Sequence, residues 1–446
     1  MIRALQENSR ERDKMVASEE SSKSLPLQTS RRWDGAVVPF NRLETRNWDL
    51  LAALAWGCHP DPLPQLQHAF QGLTGRQHII FAPSGQCAIA QILSLLPQRE
   101  VVMPAYMCHQ VRKAAEIAGK RVIFVDLAKN SVNATSAEYA EAAKPGRILL
   151  AAHIYGIPTD IEAICELARS RDCVTIEDAV PAFGGRRNGR LLGTFADFGV
   201  FSFHQSKRLP AFRGGVIVVN NDKIVDPAKL EASRVVETKQ AMPVRDLVQA
   251  LVHNLATTPW VYRWFTLPLL PLRELGPRLW RKRHRKPTPA PANQQAAVPA
   301  ASHDPFYTRE VHPYQAELVL RMLRRMEEMR EQIAHLAAIY RETFCDTPIA
   351  TFLPPGCDNA GLMRFPIAFP GKDRAEVLRL ARKRGLYLKV LWERPLPERF
   401  ERAGFPNAVW AARNLVLLPL YTALSPRSAE LLAQEVIEIE RIAPAI

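Results

Sequence analysis

From His78 onward, short apolar runs recur along the chain, and each ends on a polar or turn-forming residue. His78-Ile79-Ile80-Phe81 leads into Pro83-Ser84-Gly85 and a helix rich in small residues over 85–96. Val101-Val102-Met103 stops at Pro104, and a helix is expected over 109–119. Val122 to Val125 ends at Asp126. Ile148 to Ala152 ends at His153, before a helix over 160–169. Val174-Thr175-Ile176 runs into Glu177-Asp178, and Phe198 to Phe203 and Val216 to Val219 supply two further strands. Continuous apolar runs separated by helical stretches predict an α/β unit around a largely parallel sheet buried on both faces.

The flanking segments read differently. Residues 1–32 are polar and are expected to form a flexible lead-in; residues 33–239 form the large α/β domain, with one or two helices over 45–75. Residues 240–308 break the rhythm with Trp260, Trp264, Phe265 and Trp280, then a basic run, then PTPAPANQQAAVPAAS, a low-complexity linker. A long connecting helix over 313–343 is expected to open a small α+β domain spanning 309–446. Its further elements are strands near 362–368, 386–391 and 414–418 and helices over 371–384 and 426–441.

Composition narrows the class. With 47% hydrophobic and 23% charged residues among 446, the chain is globular rather than disordered. The net charge is +14, with basic residues concentrated in Arg281-Lys282-Arg283-His284-Arg285-Lys286 and flanked by Arg263, Arg273 and Arg278. No zinc-finger, helix-turn-helix or RNP-like pattern accompanies them, so nucleic acid is not expected as a partner. The aromatic and basic content of 245–290 instead suits an anionic membrane surface, against the plainer reading of an insertion packed on the domain with a solvated basic linker. The N-terminus lacks the apolar core of a secretory signal, and no apolar run reaches membrane-spanning length. Seven cysteines without a CxxC pair argue against a disulfide framework or a cysteine zinc site. The histidines have no metal-like spacing, so no metal is expected. The expected location is cytoplasmic, with peripheral membrane association as a variant.

Ligands of parallel sheets bind beyond the C-terminal strand ends. Ser84, Tyr106, His153, Asp178, Ser202, His204 and Lys207 all fall there. The start of the helix at Ser84-Gly85-Gln86 can hold a phosphate through free backbone N–H groups. One carboxylate of Glu177-Asp178 is expected to be buried and to need a cationic partner. Ser202 offers a hydroxyl to the same phosphate, Lys207 an amine for a Schiff base, and Gly214-Gly215 a tight turn. A phosphate cup, a buried carboxylate and a strand-end lysine together suit pyridoxal 5'-phosphate, whose ring nitrogen the carboxylate would keep protonated.

These residues sit in SGQCAI (84–89), PAYMCHQVRKAAEIAGKRVIFVD (104–126), AHIYGIPTDIEAI (152–164), IEDAVPAFGG (176–185) and GTFADFGVFSFHQSKRLPAFRGGVIVVNND (193–222), with looser likeness in HPYQAEL (312–318) and NLVLLPLYTALS (414–425). With these segments the sequence resembles the DegT/DnrJ/EryC1/StrS family of PLP-dependent sugar aminotransferases. The resemblance implies a fold-type I transferase: a mainly parallel central sheet flanked by helices, a smaller α+β C-terminal domain and a homodimeric site. It implies that Lys207 carries the cofactor and moves protons, that Asp178 pairs with the ring nitrogen, and that Ser202, Ser84 and the Gly85-Gln86 backbone bind the phosphate. The ring-stacking position falls near Cys108, with Tyr106 and His109 as alternatives. His153, Tyr155 and His204 lie beside the site, near substrate or supporting its loops. Gln86 stands where the family has threonine, and Pro181 where it has glutamine. The implied reaction moves an amino group from an amino acid, glutamate in the usual case, to a nucleotide-linked or lipid-linked keto-sugar. The alternatives are a PLP enzyme of another reaction type and a non-catalytic scaffold or membrane-associated assembly protein.

Overall fold

The computed structural model describes residues 35, 37–56, 61–233, 244–269, 311–354, 356–357, 359–398 and 401–446. The expected lead-in, Trp280, the basic run 281–286 and the low-complexity linker lie outside the described residues.

Two helices, α1 (Asn47–Trp56) and α2 (Leu63–Thr74), precede the sheet. Strands and helices then alternate: β1 (Ile79–Ala82), α3 (Gly85–Leu95), β2 (Glu100–Pro104), α4 (His109–Ile117), β3 (Arg121–Val125), α5 (Ser136–Ala140), β4 (Arg147–Ala152), α6 (Ile161–Ser170) and β5 (Val174–Asp178). A two-stranded ribbon, β6 (Arg186–Arg187) and β7 (Arg190–Leu191), leads to β8 (Phe198–Ser202) and β9 (Gly215–Val219). The seven-stranded sheet runs β1-β9-β8-β5-β4-β2-β3. Neighbours from β3 through β8 pair parallel, and β9 is antiparallel to both β8 and β1. The strands are apolar throughout because both faces are covered. Ile148 and Leu150 of β4 enter a core with Ile89, Ile92 and Leu93 of α3, while Leu149 and Ala151 enter a second core with Ile161, Ile164 and Ala168 of α6. The spacing 161, 164, 165, 168 puts one apolar stripe of α6 against the sheet.

After α7 (Pro227–Ala232) and α8 (Val244–Ala256), the expected long helix over 313–343 is two: α9 (Pro313–Leu323) and α10 (Met326–Phe344). The break has a cause. Tyr314 to Leu320 are all buried, whereas α10 is amphipathic and packs on the last helix. Between them Arg325 leaves helical geometry (φ −108°, ψ 11°), and its Nη2 donates to Asp49 Oδ2 at 2.7 Å.

A smaller α+β unit follows. β10 (Ala350–Thr351), β11 (Phe365–Ala368) and β12 (Val416–Leu418) form an antiparallel sheet with α11 (Arg374–Lys383), α12 (Pro406–Asn414) and α13 (Pro426–Ile442). The strand expected over 386–391 is reduced to a single bridge between Lys389 and Leu417. The large mixed sheet flanked by helices and the smaller C-terminal α+β unit match the two-part α/β architecture expected from the sequence. The C-terminal segment docks across the strand ends through Tyr155, whose carbonyl accepts Met363 N–H at 2.8 Å and Arg364 N–H at 3.3 Å. Tyr155 holds a left-handed conformation (φ 58°) at this junction.

Candidate active site

Ser84 is the N-cap of α3. Its Oγ accepts the Cys87 N–H at 3.1 Å, which fixes where the helix begins. β9 starts directly beside it. Gly214 takes φ 107°, and a Cβ on Gly215 would lie 2.6 Å from the Ser84 carbonyl carbon, so no side chain fits there. Across the helix start stands Ser202, whose Cβ and Oγ would lie 3.0 and 3.4 Å from a Cβ on Gly85; Val180 Cγ2 would lie at 3.2 Å. Gln86 is buried at 9% exposure, and among the described residues its Nε2 has no hydrogen-bond partner. The cup therefore holds an unused buried donor, first-turn N–H groups outside the helical ladder, and a hydroxyl, a donor set suited to a phosphate. Ser202 Oγ meanwhile accepts His204 N–H at 3.3 Å and lies 3.5 Å from the Gly214 carbonyl.

β5 delivers two carboxylates, and they are satisfied in different ways. Glu177 is fully buried. It accepts N–H bonds from Gly193 (2.6 Å), Phe195 (2.9 Å) and Ala196 (3.3 Å), and one from His153 Nε2 (2.9 Å). Three backbone donors and a histidine thus stand where a single cationic partner was expected. His153 Nδ1 accepts the Thr159 N–H at 3.1 Å, so the ring proton is on Nε2 and both nitrogens are engaged in ordering loops. Asp178, one residue on, is also buried, and its Oδ1 accepts the Val180 N–H at 3.1 Å. Burial pushes its carboxyl above the usual range, against the pull of the nearby Lys207 charge.

Lys207 is half-buried, with Nζ 3.9 Å from Met363 Sδ. Burial lowers its amine; Cys108 and Asp178 oppose that shift and the Arg364 guanidinium reinforces it. Cys108, the cap of α4, lies within electrostatic reach of Lys207 and Asp178, and burial pushes its thiol up. Tyr106 and Tyr155 are fully buried and joined hydroxyl to hydroxyl at 2.5 Å. Trp392 stacks on Tyr155 with 5.2 Å between centroids. Of the three residues considered for the ring, Cys108 is the one within electrostatic reach of Lys207 and Asp178, Tyr106 belongs to an aromatic cluster, and His109 is exposed beside Gln110. His204 is exposed and bonds Ser206 at 2.9 Å.

Met363, Arg364 and Trp392 join this neighbourhood from the C-terminal unit, and the strand-end pattern gave no sign of them. A trace existed for one: Arg364 is the lone charge in the apolar run Leu362 to Ala368. Arg208, next to Lys207, is buried and paired with Glu44.

The chain is 33% identical over 161 residues to a UDP-N-acetyl-3-dehydro-alpha-D-glucosamine 3-aminotransferase of Acidithiobacillus ferrooxidans, covering 35% of this chain and 44% of that protein. It is 32% identical over 128 residues to a GDP-perosamine synthase of Escherichia coli O157:H7, covering 28% and 35%. The matches span less than half the length of these curated relatives. Among solved structures, the aminotransferase TlmJ from Streptoalloteichus hindustanus superposes with a TM-score of 0.65 at 22% identity, over 90% of this chain and 98% of that one. Residues 55–246 and 307–437 match the DegT/DnrJ/EryC1/StrS aminotransferase family, whose enzymes use pyridoxal phosphate, and the chain belongs to that family.

Proposed function

We propose that this protein is a PLP-dependent aminotransferase that moves an amino group from an amino acid, glutamate in the first instance, to a keto-sugar. The observation that carries the reading is that half-buried Lys207 and buried Asp178 lie within electrostatic reach of each other, beside a helix start with an unused buried donor on Gln86. Gln86, the first turn of α3 and Ser202 would hold the phosphate. Asp178 would hold the proton on the ring nitrogen through a charge-assisted bond. Bound pyridoxal phosphate supplies an electron sink for the carbon that gains or loses the amine. Burial lowers the Lys207 amine, and Nζ would take a proton from that carbon and return it. Glu177 and His153 hold the end of β5, and so Asp178, in place. The nucleotide-sugar names of the two curated relatives support a nucleotide-linked acceptor. Family membership supports a homodimer, which sedimentation tests. Amino transfer from L-glutamate, assayed over a panel of nucleotide-linked and lipid-linked keto-sugars, tests the reading. A protein that binds PLP but transfers no amino group to any of them would contradict it.

A specific feature supports membrane contact as well. Val244, Val248, Val252 and Leu255 line one face of α8, and Trp260, Trp264, Phe265 and Leu269 continue it; all eight are 52–64% exposed. The Arg263 guanidinium lies over the Trp264 ring at 5.0 Å. From residue 247 to 306 the chain lies outside the family match, and its sequence then carries the basic run 281–286. An apolar aromatic stripe followed by basic chain suits an anionic bilayer surface. Among the described residues no helix is long and apolar enough to cross a membrane.

A further inference from the structure

Lys207 stands on the stretch between β8 and β9, which has no helix or strand of its own to fix it. Its neighbour Arg208 is turned inward and buried at 6% exposure. The Nη1 of that guanidinium donates to Glu44 Oε1, and its Nη2 donates to the Leu362 carbonyl. The second contact bears on the amine, because the next residue, Met363, has its sulfur 3.9 Å from Lys207 Nζ. Arg208 thus holds the chain on both sides of Nζ, at the lysine's own backbone and at the residue that Nζ meets.

Glu44 is buried as well, and its other oxygen accepts Thr422 N–H at 3.1 Å and Thr422 Oγ1 at 2.5 Å. One carboxylate therefore ties three stretches far apart in sequence: the segment before α1, the lysine stretch and the turn after β12. The segment before α1 is itself held from outside. Asn254 of α8, buried at 4% exposure, donates from Nδ2 to the Thr45 carbonyl at 3.0 Å and to Asn47 Oδ1 at 2.9 Å. Glu44 and Asn254 both lie outside residues 55–246 and 307–437, the stretches that match the family. Burial works against the Arg208 charge, and the Glu44 carboxylate supports it. A buried ion pair adds little net stability over apolar side chains of similar size, because desolvation offsets the attraction; what it can add is one fixed geometry. We infer that Glu44 positions the cofactor lysine: through Arg208 it sets where Lys207 Nζ stands relative to Asp178 and the phosphate cup. The inference rests on the reading of Lys207 as the cofactor lysine. Glu44 is a positioning residue, and the proton remains with Lys207.

The test uses the full chain as wild type, as Glu44→Gln, and as a double variant with Glu44→Met and Arg208→Met. Pyridoxamine 5'-phosphate has an amine in place of the aldehyde and cannot bond to a lysine, so its affinity by calorimetry reports on the cup alone. Borohydride trapping at timed intervals gives the rate at which pyridoxal phosphate becomes fixed to Lys207, and steady-state assay gives kcat and the L-glutamate KM. In both variants the trapping rate and kcat should fall about 10- to 100-fold, the loss expected when a reacting group is displaced by about 1 Å. Pyridoxamine phosphate affinity and the glutamate KM should stay within about threefold of wild type. In urea unfolding the double variant should be at least as stable as Glu44→Gln, because it removes both charges of the pair. A pair that served stability alone would leave the stable double variant trapping and turning over like wild type, and that result would overturn the inference. Loss of pyridoxamine phosphate affinity in step with trapping would also overturn it, by making Glu44 a prop for the whole site. So would a double variant that does not fold, by making the pair a requirement of the fold. A wild type that fixes pyridoxal phosphate to no lysine, or to another lysine, would sink the underlying reading instead, a result distinct from these.

Discussion

Replacing Glu177 with glutamine removes one oxygen and leaves the shape nearly unchanged. The two carboxylate oxygens accept four hydrogen bonds, from Gly193 N–H and His153 Nε2 on Oε1 and from Phe195 and Ala196 N–H on Oε2. A glutamine offers one acceptor and one NH2, so in either orientation the NH2 faces two donors. His153 cannot relieve this by moving its proton to Nδ1, because that nitrogen already accepts the Thr159 N–H at 3.1 Å. Two bonds to an ionised group are lost, each contributing about 1.5–3 kcal/mol, which puts the destabilisation at about 3–6 kcal/mol. Equilibrium urea unfolding with a common slope measures it. The same change loosens the end of β5 and should weaken PLP binding, although Glu177 itself would not touch the cofactor. A Glu177→Gln protein within about 1 kcal/mol of wild type would refute the view that this carboxylate anchors the site.

Under the proposed role for Asp178, Asp178→Asn should retain the fold by circular dichroism yet lower turnover about 100-fold or more, because the ring nitrogen would lose a charged partner; activity within about twofold of wild type would count against that role. Gly361→Ala would set a Cβ 2.6 Å from Gly185 Cα, backbone against backbone, so a loss of about 1–3 kcal/mol is expected in equilibrium urea unfolding, and stability equal to wild type would count against this close packing. Co-sedimentation with anionic vesicles should fall sharply when Val252 and Trp260 are both changed to glutamate, with solution stability unchanged because both side chains are exposed. Equal pelleting of wild type and variant would remove the stripe from the membrane account.

The strands were legible because each is apolar without alternation, a pattern that only a sheet covered on both faces produces. The start of α3 was legible as well, since Ser84 carries both the cap and the turn. Other features resisted. The break between α9 and α10 depends on Arg325 meeting Asp49, 276 residues away in sequence. The helix α12 buries only Ala408, Ala411 and Ala412, too weak an apolar signal to read along the chain. In the site, the strand-end rule brought Asp178 and Lys207 to notice, while Arg364 and Met363 approach Lys207 across roughly 156 residues of intervening chain. Nor does sequence say how two adjacent carboxylates divide their work. The structure does so through the N–H groups of Gly193, Phe195 and Ala196, which claim Glu177, while Asp178 accepts the Val180 N–H.

The central claim is that Lys207 is the cofactor lysine. The direct measurement is to incubate the full chain with pyridoxal phosphate, reduce it with borohydride, digest it and locate the modified peptide by mass spectrometry. The account predicts a phosphopyridoxyl group on Lys207 in near-stoichiometric yield, and none on that peptide in Lys207→Ala. A label distributed over surface lysines, or concentrated on any lysine other than Lys207, would contradict it.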